Sequence, residues 1–290
     1  MATRQIQLFI LILSMQYVCH AADPEPLGAP EKCGQMPRNP IDESSGLIHS
    51  RRYPDKDLFW THNDSGDKAR LFAVDSKGTL LREYKVSGAT NYDWEEITAD
   101  DKGNLIVGDI GDNGTRRKEI LLYRFPEPDA LAEDARRTTA SVQIFRFNYP
   151  AADGAQDAEA LVARGDCAYL ITKTLKVTRC YRLPLPDAPP KETVEAVCVA
   201  STQTLNTISG AALSADGTHL ALVNYLSVTL LSLPQPIEKL EKIGELFDCP
   251  RRVRLAWLGQ TEAVAWDHGE LVLTTEGGAI YRISAVLDKK

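Results

Sequence analysis

At 290 residues, with 25% of them charged and a net charge of −7, the chain is long enough for one large β domain or two small ones. Its acidity excludes a nucleic-acid backbone as the main partner, because such sites need clustered lysine and arginine. The pairs Arg116-Arg117 and Arg251-Arg252 are too small and isolated to alter that.

The first 22 residues read as a signal peptide. Arg4 supplies an early positive charge, residues 6–18 are mostly apolar, and the small residues Ala21 and Ala22 precede an acidic, proline-rich stretch over 23–30. The apolar run is too short for a spanning helix, and no later segment is a candidate. Cleavage is expected after Ala21 or Ala22; the rival is a lipoprotein anchor at Cys19, against which stand the bulky Tyr17 and Val18. The mature protein is therefore expected to be secreted or periplasmic and monomeric. Residues 23–42 form an N-terminal extension and 43–290 the folded domain.

From residue 43 onward one repeat recurs. Its first block reads Glu43-Ser-Ser-Gly-Leu-Ile48, Asp93-Trp-Glu-Glu-Ile-Thr98, Asp157-Ala-Glu-Ala-Leu-Val162, Thr207-Ile-Ser-Gly-Ala-Ala212 and Gln260-Thr-Glu-Ala-Val-Ala265, with starts 50, 64, 50 and 53 residues apart. The second block is an apolar run: Leu58-Phe-Trp-Thr61, Leu105-Ile-Val-Gly108, Ala168-Tyr-Leu-Ile171, Leu220-Ala-Leu-Val223 and Leu271-Val-Leu-Thr274. Turn signals such as Asp216-Gly217 precede several copies. A third run follows, as in Leu71-Phe-Ala-Val74 and Ile280-Tyr-Arg-Ile283, and then a more polar fourth, as over 141–147.

Four short strands per repeat at this period specify an all-β fold, a β-propeller of about five four-stranded blades. A sixth would need a degenerate copy within 230–258. The inner strands should begin near Ser45, Glu95, Glu159, Ser209 and Glu262, and the segment 33–41 is the candidate closing strand. The only helical signals, over 129–135 and 237–246, lie between blocks.

The strings His62-Asn-Asp-Ser-Gly-Asp67, Asn91-Tyr-Asp-Trp-Glu-Glu96 and Gly108-Asp-Ile-Gly-Asp-Asn113 resemble those of a group of uncharacterised secreted bacterial propeller proteins. The blocks Asp157-Ala-Glu-Ala160 and Thr261-Glu-Ala-Val264 fit the same group. More distantly, the Ser-Gly and Glu-Ala blade starts resemble NHL-repeat and gluconolactonase-like propellers, some of which hold an axial calcium ion and hydrolyse substrates with it. The closer resemblance implies fold and compartment more than an activity.

Two rings of residues are candidates for chemistry. The third column of the first block sets Glu95, Glu159 and Glu262 around one axis, with Ser45 and Ser209 completing the ring. Confined carboxylates repel, so without a cation their pKa values should be raised, and a hard cation such as Ca²⁺ would balance them. The bland alternative is that they cap backbone N–H groups of the neighbouring blade. The second ring follows the second block: His62, Asn63, Asp64, Asp109, Asp112, Asn113, Lys173, Asn224, Tyr225 and Glu276. Glu95, Glu159, Glu262, Asp109, Asp112 and Asn113 are the candidate metal ligands; His62, Asn63, Asp64, Lys173, Asn224, Tyr225 and Glu276 are the candidate ligand-binding set. Asp, Asn and Gly there also serve as ordinary turn formers. The sequons at Asn63 and Asn113 fall in the same loops. No serine-elbow, Cys/His or phosphate-loop motif is present.

Five cysteines follow the leader. A turn centred on Lys173-Thr174 would set Cys167 opposite Cys180, close enough for a disulfide, and Cys33 with Cys249 would tie the N-terminal segment to the fourth copy. These readings point first to a binding module for a small molecule or protein at an acidic axial face. The second reading is a Ca²⁺-dependent hydrolase of an ester, lactone or phosphoester, and the third a structural interaction module.

Overall fold

Runs of Val, Ile, Leu and aromatic residues of five to seven positions, cut by Gly and Asp turns, favour strands because branched and flat side chains pack well on a pleated surface. The computed structural model describes residues 27–133, 137–139, 141–233, 237, the backbone of 251–254, and 258–284. Its strands in chain order are β1 (Glu31–Gln35), β2 (Ser44–His49), β3 (Phe59–Asn63), β4 (Arg70–Val74), β5 (Leu80–Lys85), β6 (Trp94–Ala99) and β7 (Asn104–Asp109). There follow β8 (Ile120–Pro126), β9 (Gln143–Asn148), β10 (Ala158–Arg164), β11 (Cys167–Thr172), β12 (Thr178–Pro184), β13 (Val194–Glu195) and β14 (Val197–Thr202). The last are β15 (Gly210–Leu213), β16 (His219–Asn224), β17 (Ser227–Ser232), β18 (Arg251–Arg254), β19 (Thr261–Asp267), β20 (Glu270–Thr275) and β21 (Ala279–Ser284).

They assemble into five antiparallel sheets: β2-β3-β4-β5, β6-β7-β8-β9, β10-β11-β12-β14, β15-β16-β17-β18 and β19-β20-β21-β1. The inner strands pack in a closed circuit, β2 on β6, β6 on β10, β10 on β15, β15 on β19 and β19 on β2. The protein is a five-bladed β-propeller, with no α-helix among the described residues. Within the expected helix over 129–135, residues 130, 131 and 133 lie in turns, and 134 and 135 lie outside the described residues. Residue 237 is one position of a 3₁₀ turn, and 238–246 lie outside the described residues.

Each junction between blades is a separate apolar core. Trp60, Trp94, Tyr84 and Tyr123 fill the junction of the first two blades, whereas aliphatic residues such as Val223, Val264 and Leu273 fill that of the last two. The second strands β3, β7 and β20 are buried along nearly their whole length, because both of their faces meet a neighbouring blade. Burying one such large apolar side chain stabilises by about 1.5–3 kcal/mol, so the junctions are what hold the ring together.

The N-terminal strand β1 completes the fifth sheet by pairing with β21, with Glu31 opposite Arg282. Beyond it Gln35 N–H donates to Lys77 O of the first blade at 3.0 Å and Met36 N–H to Gly278 O at 2.8 Å. A Cβ on Gly34 would lie 2.5 Å from Lys77 backbone, so only glycine lets this strand press against the first blade. The second blade carries an extra strand, β13, which runs parallel to β9.

The expected bridge between Cys167 and Cys180 is corrected by the register. Cys167 lies opposite Pro184 and Cys180 opposite Ile171, and both thiols are free. The loop between β11 and β12 runs from 173 to 177, so the hairpin centre falls two residues beyond the Lys173-Thr174 expectation and slides the cysteines apart. Cys33 is also free, its Sγ donating to Ser76 O at 3.4 Å; its expected partner Cys249 lies outside the described residues.

Candidate functional site at the axial mouth

The inner strands begin at one end of the axis, and that end is built by a repeated irregularity. The pairing register slips between Ser44 and Leu47, Trp94 and Glu96, Ala158 and Ala160, and Thr261 and Ala263. Glu95, Glu159 and Glu262 are therefore the extra residues of β-bulges, which leave the ladder and re-aim their side chains. The serine copies do something else. Ser45 Oγ donates to Glu95 O at 2.8 Å and Ser209 Oγ to Thr261 O at 2.7 Å, each tying one blade to the next. The glycine after each serine makes this approach possible, since a Cβ on Gly46 or Gly210 would sit 2.5 Å from backbone of the next inner strand.

Glu95 faces acids. Single ligand oxygens of Asp64, Asp93 and Glu95 all lie within 4.8 Å of one another. Asp64 comes from the turn after β3, where its N–H donates to Glu43 O at 2.9 Å. Asp93 is positioned by Asp109, whose carboxylate accepts the Asp93 N–H at 3.2 Å. Gly111 packs on the cluster, with its N–H on Asp93 O at 3.1 Å. A Cβ there would run into both the Asp93 and Glu95 carboxylates.

Burial, and after it the neighbouring Glu159, Asp64 and Asp93, push Glu95 well above the carboxylate range. Burial and then Asp64 bring Asp93 up to about 6. The expectation of raised values for the three ring glutamates thus holds, with burial the leading cause for each and like-charge repulsion second only for Glu95.

The other two ring glutamates have partners. Glu159 Oε1 accepts from Lys173 Nζ at 2.5 Å, and Lys173 also reaches Tyr225 Oη at 3.3 Å and lies 5.3 Å from that ring's centroid. Burial alone would lower Lys173, but the facing Glu159 carboxylate overrides it and keeps the ammonium charged. Tyr225 hydrogen-bonds Glu262 as well. Glu276 lies close enough to Glu262 to raise its pKa.

The remaining candidates have other partners. Asp109 pairs with Arg117 at 2.8 Å. Asp112 Oδ2 accepts the N–H groups of Arg116 and Arg117, each at 2.6 Å, and Asn113 is exposed. These three shape the loop over 109–117 that carries Gly111. His62 is fully buried, stacked edge-on against Trp94 at 5.6 Å and pushed toward its neutral form by burial. Asn63 Nδ2 donates to Pro40 O, Asp42 and Asp67, so that buried sequon amide is fully engaged. Asn224 Oδ1 accepts Leu226 N–H at 2.9 Å within its own hairpin turn.

Sequence reasoning missed two residues. Asp93 heads the first block, and an acid recurs in that column at Glu43 and Asp157; that was the available signal. Glu96 stands in a column otherwise occupied by Gly46, Ala160, Gly210 and Ala263. It is completely buried on the axis, and its carboxylate accepts Ile97 N–H at 3.0 Å and Ala211 N–H at 2.9 Å, with a further bond from Leu47 N–H. One side chain thus joins three blades beneath the acidic mouth.

No protein-family model matches the chain, and no curated protein matches it in sequence. Among solved structures, virginiamycin B lyase from Staphylococcus aureus with quinupristin is similar at 12% identity and a TM-score of 0.40, over 86% of this chain and 69% of that one. The PQQ-bound form of aldose sugar dehydrogenase from Streptomyces coelicolor is similar at 13% identity and a TM-score of 0.46, over 90% of this chain and 99% of that one.

Proposed function

We propose that the protein is a binding propeller whose acidic axial mouth takes a hard divalent cation, with Ca²⁺ the best match, and presents it to a ligand. The observation that carries this reading is the convergence of Asp64, Asp93 and Glu95, with no ion pair to any of the three among the described residues. Of the cations around the mouth, Arg117 pairs with Asp109 and Lys173 with Glu159. Three carboxylates offer the oxygen-rich donor set that Ca²⁺ prefers, and a cation there would relieve the repulsion that raises Asp93 and Glu95. Lys173 and Tyr225, across the mouth, suit a ligand carrying an anionic group. The same pair favours a second reading, hydrolysis of an ester, lactone or phosphoester held between the cation and Lys173. An extracytoplasmic location is part of the proposal and rests on the leader-like first 22 residues.

The test is thermal unfolding in EDTA and in millimolar Ca²⁺. Ca²⁺ should raise the melting temperature; at 100 times its dissociation constant the gain is about 2.7 kcal/mol. Glu95→Gln and Asp93→Asn should abolish the response, and Glu159→Gln should weaken it. Identical melting curves in EDTA and Ca²⁺ would overturn the reading. Turnover in an esterase and phosphatase panel, lost on chelation, would decide for the hydrolase over the binding module.

A further inference from the structure

At the opposite end of the axis, where the inner strands finish, a second donor cluster joins the two blades on either side of the ring closure. His49 ends β2 of the first blade, and Asp267 ends β19 of the fifth, followed by His268 in the turn to β20. His268 Nδ1 lies 2.7 Å from Asp267 Oδ1, and His49 Nε2 lies 3.5 Å from the same oxygen. The imidazole centroids are 5.7 Å apart. We propose that His49, Asp267 and His268 form a transition-metal site of the zinc type, which staples the first blade to the fifth.

The donor set fits that class of ion. Two imidazoles and one carboxylate suit Zn²⁺ and its neighbours, whereas Ca²⁺ takes oxygen alone. Zinc holds nitrogen and oxygen at about 2.0–2.2 Å, so tetrahedral ligands stand roughly 3.4 Å apart; the 3.5 Å between His49 and Asp267 is already that spacing. The His49 Nε2 also meets Lys56 O at 2.9 Å, which places a backbone oxygen beside the same position.

The carboxylate is held for the task. Arg282 grips Asp267 Oδ2 at 2.6 Å, leaving Oδ1 to the imidazoles, as the outer partners of metal ligands do. On binding, each ring moves its proton from the ligating nitrogen to the other one. His268 sits in the turn at φ +48, followed by Gly269 at +87, a geometry in which Asn, Asp and Gly prevail. Histidine there trades turn preference for an imidazole over Asp267.

The experiment is calorimetric titration of the whole mature chain with ZnCl₂, after chelator treatment and alkylation of the thiols. One Zn²⁺ per chain is expected. His268→Asn, which suits the turn, should leave the zinc-free melting temperature unchanged and weaken zinc binding by about tenfold or more, and His49→Gln should do the same to binding. Co²⁺ should show a tetrahedral visible spectrum that His268→Asn removes. Asp93→Asn, at the other end of the axis, should leave zinc affinity intact. Absence of binding to the parent, undiminished binding to His268→Asn, or loss of binding in Asp93→Asn would each overturn the assignment.

Discussion

The two ends of the propeller axis hold similar acidic side chains under opposite conditions. Where the inner strands finish, Asp100, Asp101 and Asp267 each meet a backbone donor or a cation. Asp100 accepts Lys102 N–H at 3.0 Å and Asn104 N–H at 2.9 Å, Asp101 pairs with Arg164 at 3.3 Å, and Asp267 pairs with Arg282 at 2.6 Å. Where the strands begin, Asp64, Asp93 and Glu95 face one another. Between the ends, Glu96 is as buried as Glu95 yet surrounded by backbone N–H groups. Burial is therefore not what makes a carboxylate available to a ligand; the partners it meets are.

That contrast can be broken by substitution. The largest effect should come from Glu96→Ala, which leaves N–H groups of three blades buried and unpaired. A loss of about 3 kcal/mol or more is expected in urea unfolding, and a loss below 1 kcal/mol would show that Glu96 does not join the blades. Next comes Asp100→Ala, which opens the turn between β6 and β7 and should cost about 2 kcal/mol. Glu95→Gln should act with the opposite sign and stabilise the cation-free protein, since it removes a carboxyl whose charged form burial and the neighbouring acids disfavour, and keeps the size.

The smallest effect is the one that depends on pH. Asp93 titrates at about 6 in the folded protein against an ordinary 3.8, so the native state binds its proton more tightly than the unfolded chain. Cation-free stability should therefore fall as pH rises from about 4 to 6 and then stay low. Discounted for partial exposure, the fall is about 1–2 kcal/mol. Asp93→Asn should flatten this slope, and saturating Ca²⁺ should hide it. A slope that persists in Asp93→Asn would place the titration elsewhere.

Much of this was legible in the residues. The five first blocks start one to three residues before β2, β6, β10, β15 and β19, because strands with two buried faces need continuous apolar runs and the turns between them need Gly and Asp. The third column was legible as a ring, but its alternative reading, glutamates capping backbone N–H groups of the neighbouring blade, is not the link that forms: that link runs from a hydroxyl to a carbonyl. Ser45 and Ser209 make that link, while the glutamates turn away at their bulges. A bulge depends on how the partner strand is registered, and nothing in Asp93-Trp-Glu-Glu96 states that register.

The cysteine pair failed for a related reason: residue spacing alone does not say how long a hairpin loop is, and a centre shifted by two residues sets Cys167 opposite Pro184, four positions past Cys180. Fold, blade count and the positions of the inner strands follow from local pattern, since alternation and turn chemistry act over a few residues. Which acids converge does not. Asp64 and Asp93 stand 29 positions apart on different blades, and Glu95 and Glu96 are chemically identical neighbours. Only the packing of the second blade against the first brings the first pair together, and only the bulge in β6 sends the second pair to opposite fates, one to the acidic mouth and one to the backbone of three blades.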